Sequence, residues 1–248
     1  PVEIVLTYSV FKEFDAITRN VKVRNVGYED VKILRVLSAN VDFNDDDFDM
    51  IQLSGSWARE RHFVRQPLRS GSQSIESRRG SSSHAQNPFM ALARKDTTET
   101  KGDIYGFSFV YSGNFLANVE VDMFYNSRVQ IGINPFDFSW LLKENEEFQS
   151  PEAVLVYSPN GVTGMSHIYH NLYGKRLARG EHRDKIRPIL INNWEATYFD
   201  FNETSIKNIA KEASNLGMEL FVLDDGWFGK RNNDDCSLGD WFVNEDKI

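Results

Sequence analysis

Cysteine is nearly absent from this sequence, because Cys236 is the only one among its 248 residues. A single cysteine cannot form a disulfide within the chain, so no feature of the sequence requires an oxidising compartment. Long apolar runs are absent as well, since no stretch approaches the roughly 20 apolar residues that cross a bilayer as a helix. We therefore expect a cytoplasmic protein that has no membrane partner.

An excess of basic residues is also missing. The chain has 28 Lys and Arg against 36 Asp and Glu, which gives a formal net charge of -8. Nucleic-acid-binding proteins usually carry a basic surface for the phosphate backbone, and so we expect no nucleic-acid partner. Hydrophobic residues make up 41% of the chain and aromatic residues 13%. This composition is enough for the sizeable core of a globular protein.

Two groups of potential metal ligands have the wrong spacing for a metal site. His167 and His170 lie three residues apart on a predicted helix but have no third ligand nearby in sequence, so we interpret them as surface or packing residues. The acidic segment 44–47 is rich in oxygen ligands, yet its spacing differs from that of an EF-hand calcium loop. We interpret it as a turn between strands. The sequence predicts neither a metal site nor a cofactor.

The first part of the chain, up to about residue 157, has the pattern of β structure. It is rich in Val, Ile, Phe and Tyr, and several segments alternate between apolar and polar residues, which indicates strands with one solvated face. The predicted strands are 3–10, 16–26, 31–43, 49–53, 104–111, 115–125 and 128–133. Many antiparallel strands separated by turn residues predict a large sandwich. A helix is predicted over 159–179, and the Ser- and Arg-rich interval 69–83 has the composition of a linker.

A different pattern begins near residue 189. Two short apolar strands, 189–191 and 220–223, flank a helix that Asn202 is expected to cap and that Gly217 is expected to end. Two buried strands joined by a helix form a βαβ unit with a right-handed crossover, so both strands end at the same edge of one parallel sheet. Ligands bind at that edge in α/β folds.

Both of these strands end in polar and aromatic residues. The first is followed by Asn192-Asn193-Trp194-Glu195 and the second by Asp224-Asp225-Gly226-Trp227. Carboxylates beside aromatic side chains suit a polyol, whose hydroxyl groups need acceptors and whose C–H faces need an apolar platform. The alternative is that Asp225-Gly226 simply forms a turn.

These blocks closely resemble the α-galactosidases of glycoside hydrolase family 36. The resemblance extends over 191–199, 220–229 and 238–241, and upstream segments at 54–61, 78–84, 87–89 and 105–115 are similar to the same family's N-terminal domain. It implies that the interval 69–83 is an ordered loop. Only the residues before about 40 match by general character rather than by motif.

The resemblance implies a mostly β chain in two parts. Residues 1–185 would form an antiparallel β-supersandwich with a C-terminal linking helix. Residues 186–248 would form the first βαβ unit of the catalytic (β/α)8 TIM barrel, which is incomplete in this chain because a barrel needs about 250 residues of its own. We therefore expect the chain to be a piece of a longer enzyme.

The resemblance also implies the chemistry, which is retaining hydrolysis of terminal α-linked galactose in oligosaccharides such as melibiose or raffinose. Asp224 and Asp225 would accept hydrogen bonds from O4 and O6 of galactose, and Trp194 would line the same pocket. Trp57 would reach the active site of a neighbouring subunit in a homotetramer. Its small and charged sequence neighbours independently indicate an exposed indole.

No catalytic residue is expected in this chain. Retaining glycosidases use two carboxylates about 5 to 5.5 Å apart, and in this family both come from later barrel strands, with the nucleophile in a Lys-Trp-Asp motif that is missing here. The isolated chain is therefore expected to be inactive. Two alternatives stay open on the residues alone: a non-catalytic carbohydrate-binding module, and a structural or oligomerisation domain.

Overall fold

The computed structural model describes all residues, 1–248, and they form two compact units, Pro1–Ala178 and Arg179–Ile248. The division of the sequence at residues 185 and 186 into a sandwich domain and a barrel segment stays a prediction. No helix in the structure has both the length and the apolar character needed to cross a membrane.

The larger unit consists almost entirely of antiparallel strands. Its strands are β1 (Val2–Phe11), β2 (Ala16–Asn25), β3 (Val31–Ile33), β4 (Leu37–Phe43), β5 (Phe48–Ser56), β6 (Arg59–Pro67), β7 (Gly71–Glu76), β8 (Gln86–Arg94), β9 (Ile104–Phe109), β10 (Phe115–Val121), β11 (Ser127–Ile133), β12 (Trp140–Leu142), β13 (Glu147–Gln149) and β14 (Ala153–Ser158). An eight-stranded sheet has the order β1-β2-β14-β9-β8-β5-β6, with β13 also paired to β2. A four-stranded sheet has the order β4-β11-β10-β7, and β3 pairs with β12.

The two large sheets share one hydrophobic core. Along β10, Phe115, Ala117 and Val119 are buried while Glu120 is exposed, because successive side chains on a strand point to opposite faces. Buried residues of β5, β8 and β9 meet those of β10 and β11 in a single cluster. The predicted mostly β sandwich is confirmed.

Sequence patterns located some strands and missed others. All seven predicted strand segments contain strand structure, although 31–43 is divided into β3 and β4. The polar interval 69–83 includes β7, whose backbone pairs with β10. Backbone hydrogen bonds do not depend on side-chain polarity, so an edge strand can have the composition of a linker.

The acidic segment 44–47 connects β4 to β5 and is paired with basic side chains. Arg94 donates to both carboxylate oxygens of Asp45, at 2.5 and 3.2 Å. Its hydrogen bond lowers the pKa of that carboxyl below the ordinary value for Asp. Lys95 forms a further ion pair with Asp47 at 3.0 Å.

The predicted helix after the sandwich is α1 (Gly161–Leu172), which continues as one π-helical turn, Tyr173–Leu177. Met165, Tyr169 and Leu172 lie on one face of this helix and are buried. The Tyr169 hydroxyl donates to the backbone carbonyl of Val154 in β14 at 3.2 Å. The helix therefore packs on the face of the eight-stranded sheet that lies away from the shared core.

The smaller unit contains the predicted βαβ arrangement. Strand β15 (Leu190–Asn192) pairs in parallel with β16 (Leu220–Val222), and α2 (Trp194–Thr197) and α3 (Glu203–Asn215) lie between them in sequence. The Asn202 side chain accepts from the Ser205 backbone N–H at 3.0 Å, and Ser205 closes the capping box. Gly217 has a φ of 89°, which suits a glycine at a helix end.

Strands β15 and β16 are less covered than their apolar sequences predict. Leu190 is 50% exposed and Leu220 is 41% exposed. A sheet of two strands with one main helix cannot enclose both strand faces. The apolar pattern nevertheless predicted the strands and their parallel pairing correctly.

Close packing of α1 depends on Gly106 in β9. A Cβ atom at this position would lie 2.7 Å from the Tyr169 hydroxyl oxygen and 2.8 Å from the Met165 sulfur. We expect Gly106→Ala to destabilise the larger unit by about 1–3 kcal/mol, because overpacking displaces the helix. Thermal unfolding measures this change.

Gly174→Ala is the matched control, because a Cβ there meets nothing within 4 Å. It should leave the unfolding temperature unchanged or raise it slightly, since alanine restricts the unfolded chain more than glycine does. Equal destabilisation by the two substitutions would contradict the close-approach explanation.

Candidate functional site

The ends of β15 and β16 bring the predicted acidic residues into one polar cluster. Asp224 and Asp225 follow β16, and Asn192 is the last residue of β15. The Asn192 side-chain amide donates to Asp224 Oδ2 at 2.5 Å. Asp224 Oδ1 accepts from the Asp225 backbone N–H at 2.7 Å. Both carboxylate oxygens of Asp224 are therefore engaged within the chain.

Asn193 follows β15, and its buried side chain connects the end of this strand to the end of β16. Its side chain is fully buried. Its Oδ1 accepts from the Asp224 backbone N–H at 2.8 Å, and its Nδ2 donates to the Thr197 hydroxyl at 2.9 Å. A second polar residue directly after an apolar strand is the sequence signal that could have indicated this role of Asn193.

Arg231 is the partner of Asp225. Its side chain is only 6% exposed, and its Nε donates to Asp225 Oδ1 at 2.6 Å. Its guanidinium lies 5.7 and 5.9 Å from the ring centroids of Phe199 and Phe228. The sequence did not indicate this role of Arg231, because an arginine in a polar loop has the pattern of an exposed residue.

The environment of Asp225 keeps it ionised. The hydrogen bond from Arg231 lowers the pKa of the Asp225 carboxyl below its ordinary value, and the Gly226 backbone N–H adds to this effect by donating to the same oxygen at 2.7 Å. Partial burial opposes the shift. Oδ2 of Asp225 receives no hydrogen bond from the chain, so this carboxylate keeps a free, charged acceptor.

An open depression of about 400 Å³ lies beside the acidic pair. Its lining residues are Val222, Leu223, Asp224, Asp225, Trp227, Phe228, Leu238 and Trp241. The rings of Phe228 and Trp241 pack with centroids 4.6 Å apart, and Trp227 contacts Phe228 at 5.2 Å. Carboxylate acceptors thus face an aromatic wall, which is the combination that binds the hydroxyl groups and C–H faces of a polyol.

Trp194 lies next to this cluster but does not line the depression. It begins α2, and its ring packs at about right angles to those of Tyr198 and Phe199, at 5.3 and 5.0 Å. Its backbone N–H donates to Asn192 Oδ1 at 2.6 Å. Asn192 therefore links Trp194 to Asp224, and the predicted role of the indole in the pocket stays a prediction.

Trp57 belongs to the larger unit and lies at the tip of the β5–β6 hairpin. Ser56 pairs with Arg59, so Trp57 and Ala58 form a two-residue turn in which Ala58 has a φ of 58°. The indole is 84% exposed. A Cβ on Gly55 would lie 2.4 Å from the Arg59 carbonyl oxygen, so the chain approaches itself closely just before the turn.

Comparison with known sequences finds a family match in each of the two units. The sequence profile of the glycosyl hydrolase family 36 N-terminal domain matches residues 1–143, and the melibiase profile matches residues 147–248. The chain belongs to glycoside hydrolase family 36.

Family 36 proteins of known structure have the same fold as this chain. The α-galactosidase AgaB from Geobacillus stearothermophilus superposes with a TM-score of 0.96 at 60% identity, over 100% of this chain and 34% of AgaB. The curated α-galactosidase AgaA from the same organism is 59% identical over 246 residues, 99% of this chain. An AgaA variant in complex with raffinose superposes with a TM-score of 0.96 at 58% identity, over 99% of this chain and 34% of its own.

The family 36 chain described here covers only part of its relatives. It spans 34% of the length of AgaA and 34% of the α-galactosidase Mel36A from Lactobacillus acidophilus, to which it is 48% identical over 99% of this chain. Its similarity to these enzymes therefore concerns about one third of each of them.

Asn193 is expected to be essential for the strand-end arrangement. Asn193→Ala would leave the partly buried Asp224 N–H without its acceptor, which should cost about 1–3 kcal/mol. Asn208→Ala is the control, because Asn208 is exposed within α3 and alanine is a better helix former. Thermal unfolding should show a lower midpoint for the first variant and little change for the second. Equal midpoints would reduce Asn193 to an ordinary loop residue.

Proposed function

We propose that this chain forms part of a retaining α-galactosidase that removes terminal α-linked galactose from oligosaccharides such as melibiose and raffinose. The observation that carries the proposal is the pair Asp224 and Asp225 beside the wall of Trp227 and Trp241. Similarity to curated α-galactosidases along nearly the whole chain supports it, as does the raffinose complex of one structural relative.

In this proposal Asp224 and Asp225 accept hydrogen bonds from galactose hydroxyl groups. The free Oδ2 of Asp225 supports this role directly, since a carboxylate makes strong charge-assisted hydrogen bonds to hydroxyl donors. Asp224 keeps capacity as well, because each carboxylate oxygen has two acceptor sites. Trp194 would contribute to the same pocket from the β15 side.

The nucleophile and the acid/base would lie outside these 248 residues. Asp224 and Asp225 are held by different partners, Asn192 and Arg231, and these contacts suit binding rather than the concerted attack and protonation of one glycosidic bond. We therefore propose that the isolated chain has no α-galactosidase activity. We also propose a cytoplasmic homotetramer that needs neither a metal nor a cofactor.

One observation favours a second function for the larger unit. Trp57 is 84% exposed on a hairpin tip, as expected of a residue that docks on a partner or on a carbohydrate. A non-catalytic carbohydrate-binding module or an oligomerisation module would account for this residue. Neither would account for the acidic pair in the smaller unit.

Asp225→Asn in the complete enzyme tests the proposed site. The amide keeps the size of the carboxylate and still accepts from Arg231, but it loses the charge that strengthens hydrogen bonds to the sugar. We expect kcat/KM for p-nitrophenyl α-galactoside to fall about tenfold to a hundredfold or more. The measurement is steady-state kinetics of the purified variant.

Asp235→Asn is the matched control, because it removes one carboxylate from an exposed position in the same loop. Its kcat/KM should stay within about twofold of the parent, as expected of a surface substitution. If Asp225→Asn also keeps normal kcat/KM, Asp225 is only a turn residue and the proposed site is wrong.

Complementation tests the role of Trp57. We propose that its indole completes the galactose pocket of a neighbouring subunit, so Trp57→Ala should lower activity while the sandwich stays folded. Co-expression of Trp57→Ala and Asp225→Asn chains should then restore activity, since some pockets would draw an intact residue from each chain. Activity of the purified mixed oligomers, compared with both parents, is the measurement.

Phe124→Ala is the control for this experiment. Phe124 is 72% exposed in the turn between β10 and β11, so its removal alters another hairpin tip of the same unit. We expect this variant to keep full activity. Mixed oligomers that show only the average of the parental activities would rule out a shared pocket and place the role of Trp57 within its own subunit.

A further inference from the structure

Arg231 is the only buried charged residue in the chain. Removing a cation from water is costly unless it is paired and hydrogen-bonded. A position that buries a guanidinium therefore needs several acceptors arranged around it. The identity of these acceptors indicates which parts of the chain Arg231 holds in place.

The acceptors of Arg231 are the Asp225 carboxylate and two backbone carbonyls of the loop that follows Arg231. Nε donates to Asp225 Oδ1 at 2.6 Å. Nη1 donates to the backbone carbonyls of Asp234 at 3.2 Å and Cys236 at 2.6 Å. The chain continues from Cys236 to Leu238, which lines the depression. One guanidinium thus connects the acidic acceptor to the loop that leads into Leu238.

The direction of these bonds determines which part of Asp225 is available. Arg231 and the Gly226 N–H both donate to Oδ1. These two donors occupy Oδ1, and Oδ2 is the oxygen that stays free. The planar guanidinium also lies 5.7 and 5.9 Å from the ring centroids of Phe199 and Phe228. The flexible point charge of a lysine does not reproduce its fixed arrangement of donors.

We propose that Arg231 is a positioning residue for galactose binding: it orients the Asp225 carboxylate, and it does not touch the sugar itself. This inference rests on the proposed α-galactosidase function. It differs from a purely structural role, in which Arg231 would fasten the loop 232–238 and act independently of Asp225.

A double-mutant cycle in the complete enzyme separates these roles. The variants are Arg231→Lys, Arg231→Met, Asp225→Asn and the two combinations, with kcat/KM for p-nitrophenyl α-galactoside as the readout. If Arg231 acts through Asp225, each Arg231 variant should lose about tenfold to a hundredfold alone and much less in the Asp225→Asn background. Arg231→Lys keeps the charge, so it remains informative if Arg231→Met fails to fold.

Lys230→Met is the matched control. Lys230 is an exposed cation next to Arg231 in sequence, so its removal changes the local charge without removing the hydrogen bonds to Asp225. It should leave kcat/KM within about twofold of the parent. A loss as large as that of Arg231→Met would show that net charge matters rather than the geometry of the guanidinium, and it would overturn the inference.

The pH dependence of galactose inhibition provides a second readout. The charged groups that face Asp225 are Arg231, Lys247 and Asp224, and Arg231 has the largest effect among the cations in lowering the pKa of Asp225. Binding that needs the carboxylate is lost as the pH falls through that pKa. Without Arg231 the pKa rises, so galactose inhibition by the Arg231→Met enzyme should be lost at higher pH than in the parent. An unchanged midpoint would overturn the inference.

The outcomes also separate this inference from the proposed function. If Asp225→Asn lowers kcat/KM and the Arg231 losses simply add to it, Arg231 only fastens the loop and the positioning role is wrong, while the sugar site stands. If Asp225→Asn has no effect, the proposed site itself is wrong and the positioning role falls with it. Strong coupling between Arg231 and Asp225, together with the pH shift, supports both the proposed function and the positioning role.

Discussion

The hydrogen bond between the buried Arg231 guanidinium and Asp225 is the interaction on which the arrangement of the smaller unit's polar edge depends. At 2.6 Å it pairs the only buried charge of the chain and fixes one oxygen of the carboxylate. The backbone carbonyls of Asp234 and Cys236 in the following loop are the other acceptors of the guanidinium. Without these acceptors, the desolvation cost of the buried guanidinium near the rings of Phe199 and Phe228 would not be offset.

A second, uncharged interaction complements it on the other strand. The buried Asn193 amide bonds to the backbone of Asp224, so the parallel pairing of β15 and β16 extends past their last strand residues. The two bonds act on different atoms, since one holds the main chain of the acidic pair and the other a side chain. Together they convert two flexible strand ends into a rigid set of acceptors, which is the condition for selective binding of a polyol.

The larger unit is stabilised by a hydrophobic core rather than by a buried ion pair. Its core joins two antiparallel sheets, and cross-strand packing of aromatic rings such as Phe43 with Tyr105 at 4.9 Å stabilises it. The β5–β6 hairpin extends from this scaffold and carries an exposed Trp57. A side chain that is 84% exposed has little contact with its own domain, so the indole is accessible to a binding partner.

The sequence by itself determined the class of the fold, the βαβ unit with its Asn202 cap, and the family, because apolar periodicity, capping residues and motifs are local properties of the chain. It also pointed to Asp224 and Asp225, since two carboxylates directly after an apolar strand interrupt its pattern. It did not reveal β7, whose pairing depends on backbone bonds, nor the roles of Asn193 and Arg231. Only the tertiary structure decided those, because burial and hydrogen-bond partners depend on residues that are distant in sequence, as with Asn193 and Asp224, or on a loop conformation that no pattern of residue types specifies.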